Sequence, residues 1–313
     1  MINTTRIHHV TSIASDPQQN VDFYTEVLGL RLVKKTVNFD DKYTYHLYYG
    51  DEVGAPGTIL TFFPFENGRP GRVGRGQTSA TAFVIPEGSV EYWIDRLKSH
   101  DIEVHSPRTR FDETVVPFRD HDGQPFELVT GTTDIEPWVD GPVPAENAIR
   151  GFHSVTLASL NPEQTEEVLE TLGYEPTEQD DDRTRYRASG DRAAIVDVRE
   201  CSDAPQGRQV VGTVHHVAFR APDEETQLEW RDQLNDSGLQ VTPQKDRQYF
   251  KSIYFREPGG VLFEIATDEP GFTRDESKAE LGMELKLPPW LENERRTLEE
   301  RLPKINDSGT NVS

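Results

Sequence analysis

A chain of 313 residues with 34% hydrophobic side chains has room for about two cored domains. Its formal net charge of −22 argues against nucleic acid or an anionic membrane as a partner. Its longest apolar runs are too short to cross a bilayer, and its single cysteine, Cys201, excludes an intrachain disulfide. Met1 to Arg6 does not open a signal peptide, so a reduced, cytoplasmic protein is expected. Acidity of this strength also suits concentrated salt, where repulsion is screened, and favours a halophilic source over an acidic mesophile protein.

One unit recurs along the chain: a short strand, a helix, then two or three further strands. The first copy opens with the strand IHHVTSIA from Ile7. Ser15-Asp16 caps the helix NVDFYTEVLGL, and RLVKKTVNF, YTYHLYYGD and GTILTFFPF follow as strands up to Phe65. Next comes GRPGRVGRGQ, read as a flexible loop because no helix pattern follows to make a phosphate cradle. The second copy starts at TSATAFVIP, continues through the helix SVEYWIDRLKSH, and closes with ETVVPFRDHD and QPFELVTG at Gly131. A proline-bearing linker, TTDIEPWVDGPVPAENAIR, separates it from the third. That copy reads GFHSVTLAS from Gly151, the helix PEQTEEVLETLG, then TRYRAS and AAIVDVRE. The fourth reads VGTVHHVAFRAP, the helix DEETQLEWRDQLNDSG, then QVTPQKDRQYF, SIYFREP and VLFEIATDEPGF. The predicted class is therefore α+β, with four βαβββ modules in two domains, residues 7–131 and 151–268. A charged tail, residues 275–313, carries a helix expected to start at Pro288-Pro289 and ends in NDSGTNVS, which reads as disordered.

The chemistry lies in the opening strands. Side chains alternate across a strand. His9, Thr11 and Ile13 share one face of the first, with His8, Val10 and Ser12 opposite. In the fourth copy His216 and Ala218 lie opposite His215 and Val217, while Glu264 lies opposite Phe263 and Ile265. Val217, Phe263 and Ile265 suit the face that packs on helices, which leaves His216 and Glu264 inside a curved sheet. A buried imidazole and carboxylate must pair or bind a metal. Two imidazoles and one carboxylate make the facial triad of non-haem Fe(II) oxygenases, with positions left for a substrate hydroxyl and O2. The same set can hold Mn(II), or Zn(II) in a hydrolase, so ligand types alone do not choose the reaction. The other copies lack it. Ser154 stands at the matching position of the third, and the second has no histidine in its opening strand. Glu127 matches Glu264 without histidine companions and reads as structural. One site per chain follows, and it requires the first and fourth units to meet.

The four units, with HHVT, VHHVAF and GGVLFEIATDEPGF, resemble the vicinal-oxygen-chelate superfamily, also called the glyoxalase/bleomycin resistance/dioxygenase superfamily. More narrowly the chain is similar to ring-cleaving dioxygenases that open hydroquinones, over about residues 5–305. DRQYFKSIYFREPGGVLFEIATDEPGF is the most specific stretch, and LPPWLENERRTLEERLP also fits. The resemblance implies Fe(II) held by His9, His216 and Glu264, a small aromatic diol and O2 as substrates, and a ring-cleaving reaction. It further implies Tyr254 polarising a substrate oxygen, Arg247 stabilising a phenolate, and His8, Thr11 and His215 near the iron, although alternation turns His8 and His215 away from direct ligation.

Two other classes stay open. A glyoxalase-type lyase or isomerase would show more carboxylate ligands, and Thr61 stands near the slot that Glu264 fills. A non-catalytic binder of small aromatics would have lost the ligands. His46, His100, His105, His121 and His153 read as surface or packing residues, and Cys201 has no base or motif beside it. Edge strands and the helical tail would support a homo-oligomer.

Overall fold

The computed structural model describes residues 6–306. NDSGTNVS, apart from Asn306, lies outside them. The first unit contains β1 (Ile7–Ala14), β2 (Arg31–Asn38), β3 (Asp41–Gly50) and β4 (Ile59–Pro64). Its helix α1 (Pro17–Asp22) runs on into a π-helical stretch, Phe23–Val27. Asp16 caps α1 by accepting from the Gln19 amide, with Pro17 in the first turn, where its missing N–H costs nothing. The second unit contains β5 (Gln77–Ile85), α2 (Val90–Ser99), β6 (Arg108–Arg110), β7 (Glu113–Arg119) and β8 (Pro125–Thr130). The third contains β9 (Phe152–Ser159), α3 (Pro162–Thr171), β10 (Glu175–Asp180), β11 (Arg183–Arg187) and β12 (Ile195–Glu200). β13 (Thr213–Ala221), α4 (Glu224–Asp236), β14 (Lys245–Asp246), β15 (Lys251–Arg256) and β16 (Leu262–Thr267) make the fourth.

These strands form two mixed sheets of eight. One runs β14-β15-β16-β13-β1-β4-β3-β2, the other β10-β11-β12-β9-β5-β8-β7-β6. The first unit thus joins the fourth, and the second joins the third, through the antiparallel pairs β1–β13 and β5–β9. Each half of the chain, 7–131 and 151–268, gives one unit to each sheet, so strand pairing crosses the linker between the halves.

Alternation builds the layers. Val10, Val217, Phe219, Phe263 and Ile265 are sealed in one large apolar core with Trp230 and Leu234 of α4. Trp93 and Leu97 of α2, and Leu169 of α3, do the same on the other sheet. With the apolar faces spent on helices, the polar residues of β1, β13 and β16 fall on the concave side.

Three sequence expectations are corrected. Residues 68–77 do not form a free loop: Arg72 and Arg208 exchange backbone hydrogen bonds of 3.1 and 2.8 Å, and Gly71 N donates to Val211 O at 2.7 Å. Gly74 is required there, because a Cβ would lie 2.3 Å from Pro205 O. The exposed strand β10, polar apart from Pro176, lacked the pattern that marks a strand. The tail helix α5 (Arg295–Arg301) begins later than Pro288-Pro289, after a short turn at Glu292–Glu294. The tail covers the edge strand β2. Lys286 N donates to Lys35 O at 2.9 Å, and the buried Lys34 ammonium pairs with Asp275 at 2.6 Å and with Glu276.

Candidate metal centre

His9 comes from β1, His216 from β13 and Glu264 from β16, three adjacent strands of the first sheet. All three side chains are buried. His216 Nε2 lies 2.8 Å from Glu264 Oε2, His9 Nε2 3.4 Å from the same oxygen, and the two Nε2 atoms 3.3 Å from each other. Ligands at right angles about 2.1 Å from one ion stand about 3 Å apart, so the spacing fits a shared divalent cation. Glu264 Oε2 has no aligned hydrogen-bond donor despite its short contacts. A buried carboxylate oxygen left this way is costly unless a cation completes it. Oε1 is already used, accepting from Ser252 Oγ at 2.5 Å. Burial alone would raise the Glu264 pKa, but the facing imidazoles hold it well below the usual carboxylate range.

Strict alternation misplaces His8 and His215. A β-bulge lies in β1 between Ile7 and His9, and another in β13 between the partners of Thr11 and Ser12. The extra residues are His8 and His215, and each bulge swings two successive histidines to one side. His8 Nδ1 then meets His9 Nδ1 at 2.9 Å, and His215 Nδ1 meets His216 Nδ1 at 2.7 Å. Burial lowers the pKa of His8 well below normal and that of His215 to about 3, so both outer rings are neutral. A neutral outer ring can accept an Nδ1 proton from the inner one, which leaves the inner Nε2 lone pair for a metal.

These groups open on a cavity of about 550 Å3. Phe63, Phe250 and Leu262 give it apolar walls, and Tyr254 and Arg247 give it a polar end. Arg247 Nε donates to Tyr254 Oη at 3.0 Å, and its Nη2 pairs with Asp40 at 2.9 Å. Burial, with the charge of Glu264, pushes the Tyr254 phenol up, so it keeps its proton. Thr11 is sealed behind the cavity, opposite His216 in the ladder.

His46 was expected at the surface or in packing; it lines this cavity. Tyr48 Oη meets His46 Nδ1 at 2.7 Å, His46 Nε2 meets Thr61 Oγ1 at 2.8 Å, and Thr61 Oγ1 donates to Thr11 Oγ1 at 3.0 Å. The available signal was period two in YHLYYG, which puts His46 and Tyr48 on one face. Ladder register makes Thr61 the counterpart of Glu264, since it pairs with Thr11 as Glu264 pairs with Ala218. A hydroxyl, tied to His46 and Thr11, stands where a fourth ligand, a second carboxylate, would be.

The model of the Glyoxalase/Bleomycin resistance protein/Dioxygenase superfamily matches residues 6–128 and 156–265. The chain belongs to this superfamily. It is 44% identical over 301 residues to MhqO of Bacillus subtilis, named as a candidate ring-cleaving dioxygenase, with 96% of each chain covered. It is 38% identical over 311 residues to a chlorohydroquinone/hydroquinone 1,2-dioxygenase of Sphingobium indicum, again with 96% of each covered. A crystal structure of a candidate dioxygenase from Bacillus subtilis superposes with a TM-score of 0.94 at 44% identity, covering 98% of this chain and 99% of that one. Glyoxalase I from Zea mays shares the fold at 16% identity, with a TM-score of 0.63 over 85% of this chain and 93% of that one. Among the described residues no helix is long and apolar enough to cross a membrane.

Proposed function

We propose that the protein is an Fe(II)-dependent, extradiol-type dioxygenase that cleaves the ring of a hydroquinone or catechol with O2. The observation that carries this reading is a three-ligand face opening into an aromatic-walled cavity, with one buried carboxylate oxygen left for a cation. His9, His216 and Glu264 would hold the iron, which when bound supplies the sites and redox chemistry that bring a phenol and O2 together. Relatives named for hydroquinone and for ring cleavage support the substrate class.

The chain's own residues do the rest. Phe63 and Phe250 offer apolar surface to an aromatic ring. Tyr254 already accepts from Arg247 Nε, so its own O–H is free to donate to a substrate oxygen. Asp40 anchors Arg247, whose positive charge favours a phenolate over a neutral phenol at that end of the cavity. His8 and His215 fix the tautomer and orientation of the two ligand imidazoles. Thr61, lacking a carboxylate, leaves the ligand count at three and weighs against a glyoxalase-type arrangement.

The test is to purify the protein without air, load it with Fe(II), and measure O2 uptake with hydroquinone and then catechol. Uptake matched to loss of the aromatic absorbance, with one of the two, is expected. An iron-loaded protein that consumes O2 with neither would overturn the proposal.

A further inference from the structure

The concave face of the second sheet holds a cavity where the first sheet holds its catalytic pocket. Its floor includes Ala80, Glu127 and Thr156. Ala82 pairs with Glu127 as Ala218 pairs with Glu264, and Thr156 pairs with Asp197 as Thr11 pairs with Thr61. Ala80 and Glu127 are thus the counterparts of His216 and Glu264, and Thr156 is the counterpart of Thr11. The imidazoles are gone, and arginines have taken their place. Arg108, Arg119, Arg183 and Arg199 line the cavity, against Glu127 as its one carboxylate.

We infer that this cavity is a binding site for a small oxyanion ligand, one that presents a carboxylate or phosphate group to a ring of guanidinium donors. Charge counting supports it. Arg108, Arg110, Arg183, Arg185 and Arg199 pair with Glu113, Glu127, Asp182 and Asp197, and Arg119 bonds only the Gly123 carbonyl, which leaves two positive charges in excess within this group. A chain with a net charge of −22 leaves this concave spot uncompensated. Hydrogen-bond counting supports it independently. Arg183 is only 8% exposed. Its Nη1 is engaged with Thr156 Oγ1 at 2.8 Å and Asp197 Oδ2 at 2.9 Å. Its Nε and Nη2 make no hydrogen bond to the described residues and are not sealed from solvent, so a ligand could reach them. Burial and the adjacent Arg110 lower its pKa, while Asp197 and Glu127 act in the opposite direction. A planar guanidinium with free N–H groups matches the paired oxygens of a carboxylate or phosphate. At about 250 Å3 the cavity is smaller than the roughly 300–1,000 Å3 of drug-sized ligand sites, so the ligand is a small acid.

The test uses the full chain and two probes, inorganic phosphate and maleate, titrated calorimetrically at fixed ionic strength with sodium chloride as the matched control. Saturable binding of at least one probe, absent with chloride, is expected. Phosphate binding tighter than maleate assigns the site to phosphate groups, and the reverse assigns it to carboxylates. Arg183→Gln should weaken binding at least tenfold. Should that variant fold poorly, Arg108→Gln at the exposed rim should weaken it severalfold while leaving ring-cleaving turnover unchanged. Arg247→Gln, in the other pocket, should leave binding intact. Heats that chloride reproduces, or equal affinity in wild type, Arg108→Gln and Arg183→Gln, would overturn the site. So would loss of binding in Arg247→Gln alone.

Discussion

The two concave faces start from one pattern and solve the same problem in opposite ways. Each sheet places a buried glutamate on the strand beside an opening strand, Glu264 in one and Glu127 in the other. Each keeps the same paired bulges. In the second sheet His153 is the extra residue, and its Nδ1 meets Ser154 Oγ at 3.0 Å, where His8 meets His9 in the first. Glu127 is fully compensated by protein: Arg110 grips it with two hydrogen bonds of 3.0 and 2.7 Å, and Arg108 adds a third at 2.8 Å. Glu264 has two neutral-capable imidazoles and an oxygen with no aligned donor. A carboxylate neutralised by guanidinium has little charge and little open space left for a metal; one left short has both. The lesson is that the electrostatic surroundings of the glutamate, more than its presence, separate a face suited to a cation from one already neutralised by arginine.

Glu264→Gln and Glu127→Gln should therefore differ most. The first removes the carboxylate proposed to hold the metal, and turnover should fall by more than about 100-fold, the upper reach of changes to a ligand's outer partners, with metal content falling in parallel. The second should keep both metal and turnover while lowering stability, since it leaves Arg110 only its longer 4.0 Å contact with Asp197. Metal analysis and O2 uptake on the two proteins side by side decide this. If Glu127→Gln loses its metal as well, the contrast drawn between the faces is wrong.

Next in size is the cost of breaking the arginine network. Asp197 is fully buried, accepting from Arg183 at 2.9 Å and from Arg185 at 2.9 and 3.3 Å. Asp197→Asn strands buried guanidiniums without their counterion, so a loss of about 3–5 kcal/mol is expected. Urea unfolding measures it. The metal centre, on the other sheet, should keep its occupancy in the folded fraction. A loss under about 1 kcal/mol would mean that the network is well solvated and that buried guanidinium charge does not set the two faces apart.

Much of this was readable from the residues. Period-two alternation and the repeat put His9, His216 and Glu264 on one concave surface, because a repeated hydrophobic pattern forces the same inside-outside choice in every copy. The meeting of the first and fourth units followed from needing one complete ligand set. What alternation could not supply was the bulges: a single inserted residue reverses the face of His8 and His215 and leaves no mark in composition. His46 escaped for another reason. One histidine in a tyrosine-rich strand looks like packing until the strand's register against Thr61 is known. The pairing of Arg72 with Arg208 was equally hidden, since bridges between distant loops have no local pattern.

The smallest expected effect concerns acid. Glu113 accepts from His153 Nε2 at 2.9 Å and from Arg185 Nη1 at 2.8 Å. Burial would raise its pKa, but these two partners hold it down to about 2. A carboxylate with a depressed folded-state pKa stabilises the fold above its unfolded value and loses that contribution as pH drops through the folded one. Stability should therefore decline between about pH 4.5 and 2 in wild type. Glu113→Gln should remove part of that slope by lowering stability modestly at neutral pH, where the carboxylate contributes in full, with the two proteins converging towards pH 2. The effect stays modest because the side chain is 22% exposed and water screens the pair. Urea midpoints at pH 6 and pH 3 read it directly. An acid slope identical in the two proteins would show that the His153–Glu113 contact, which stands behind Ser154 in the second sheet, has no part in stabilising the metal-free face.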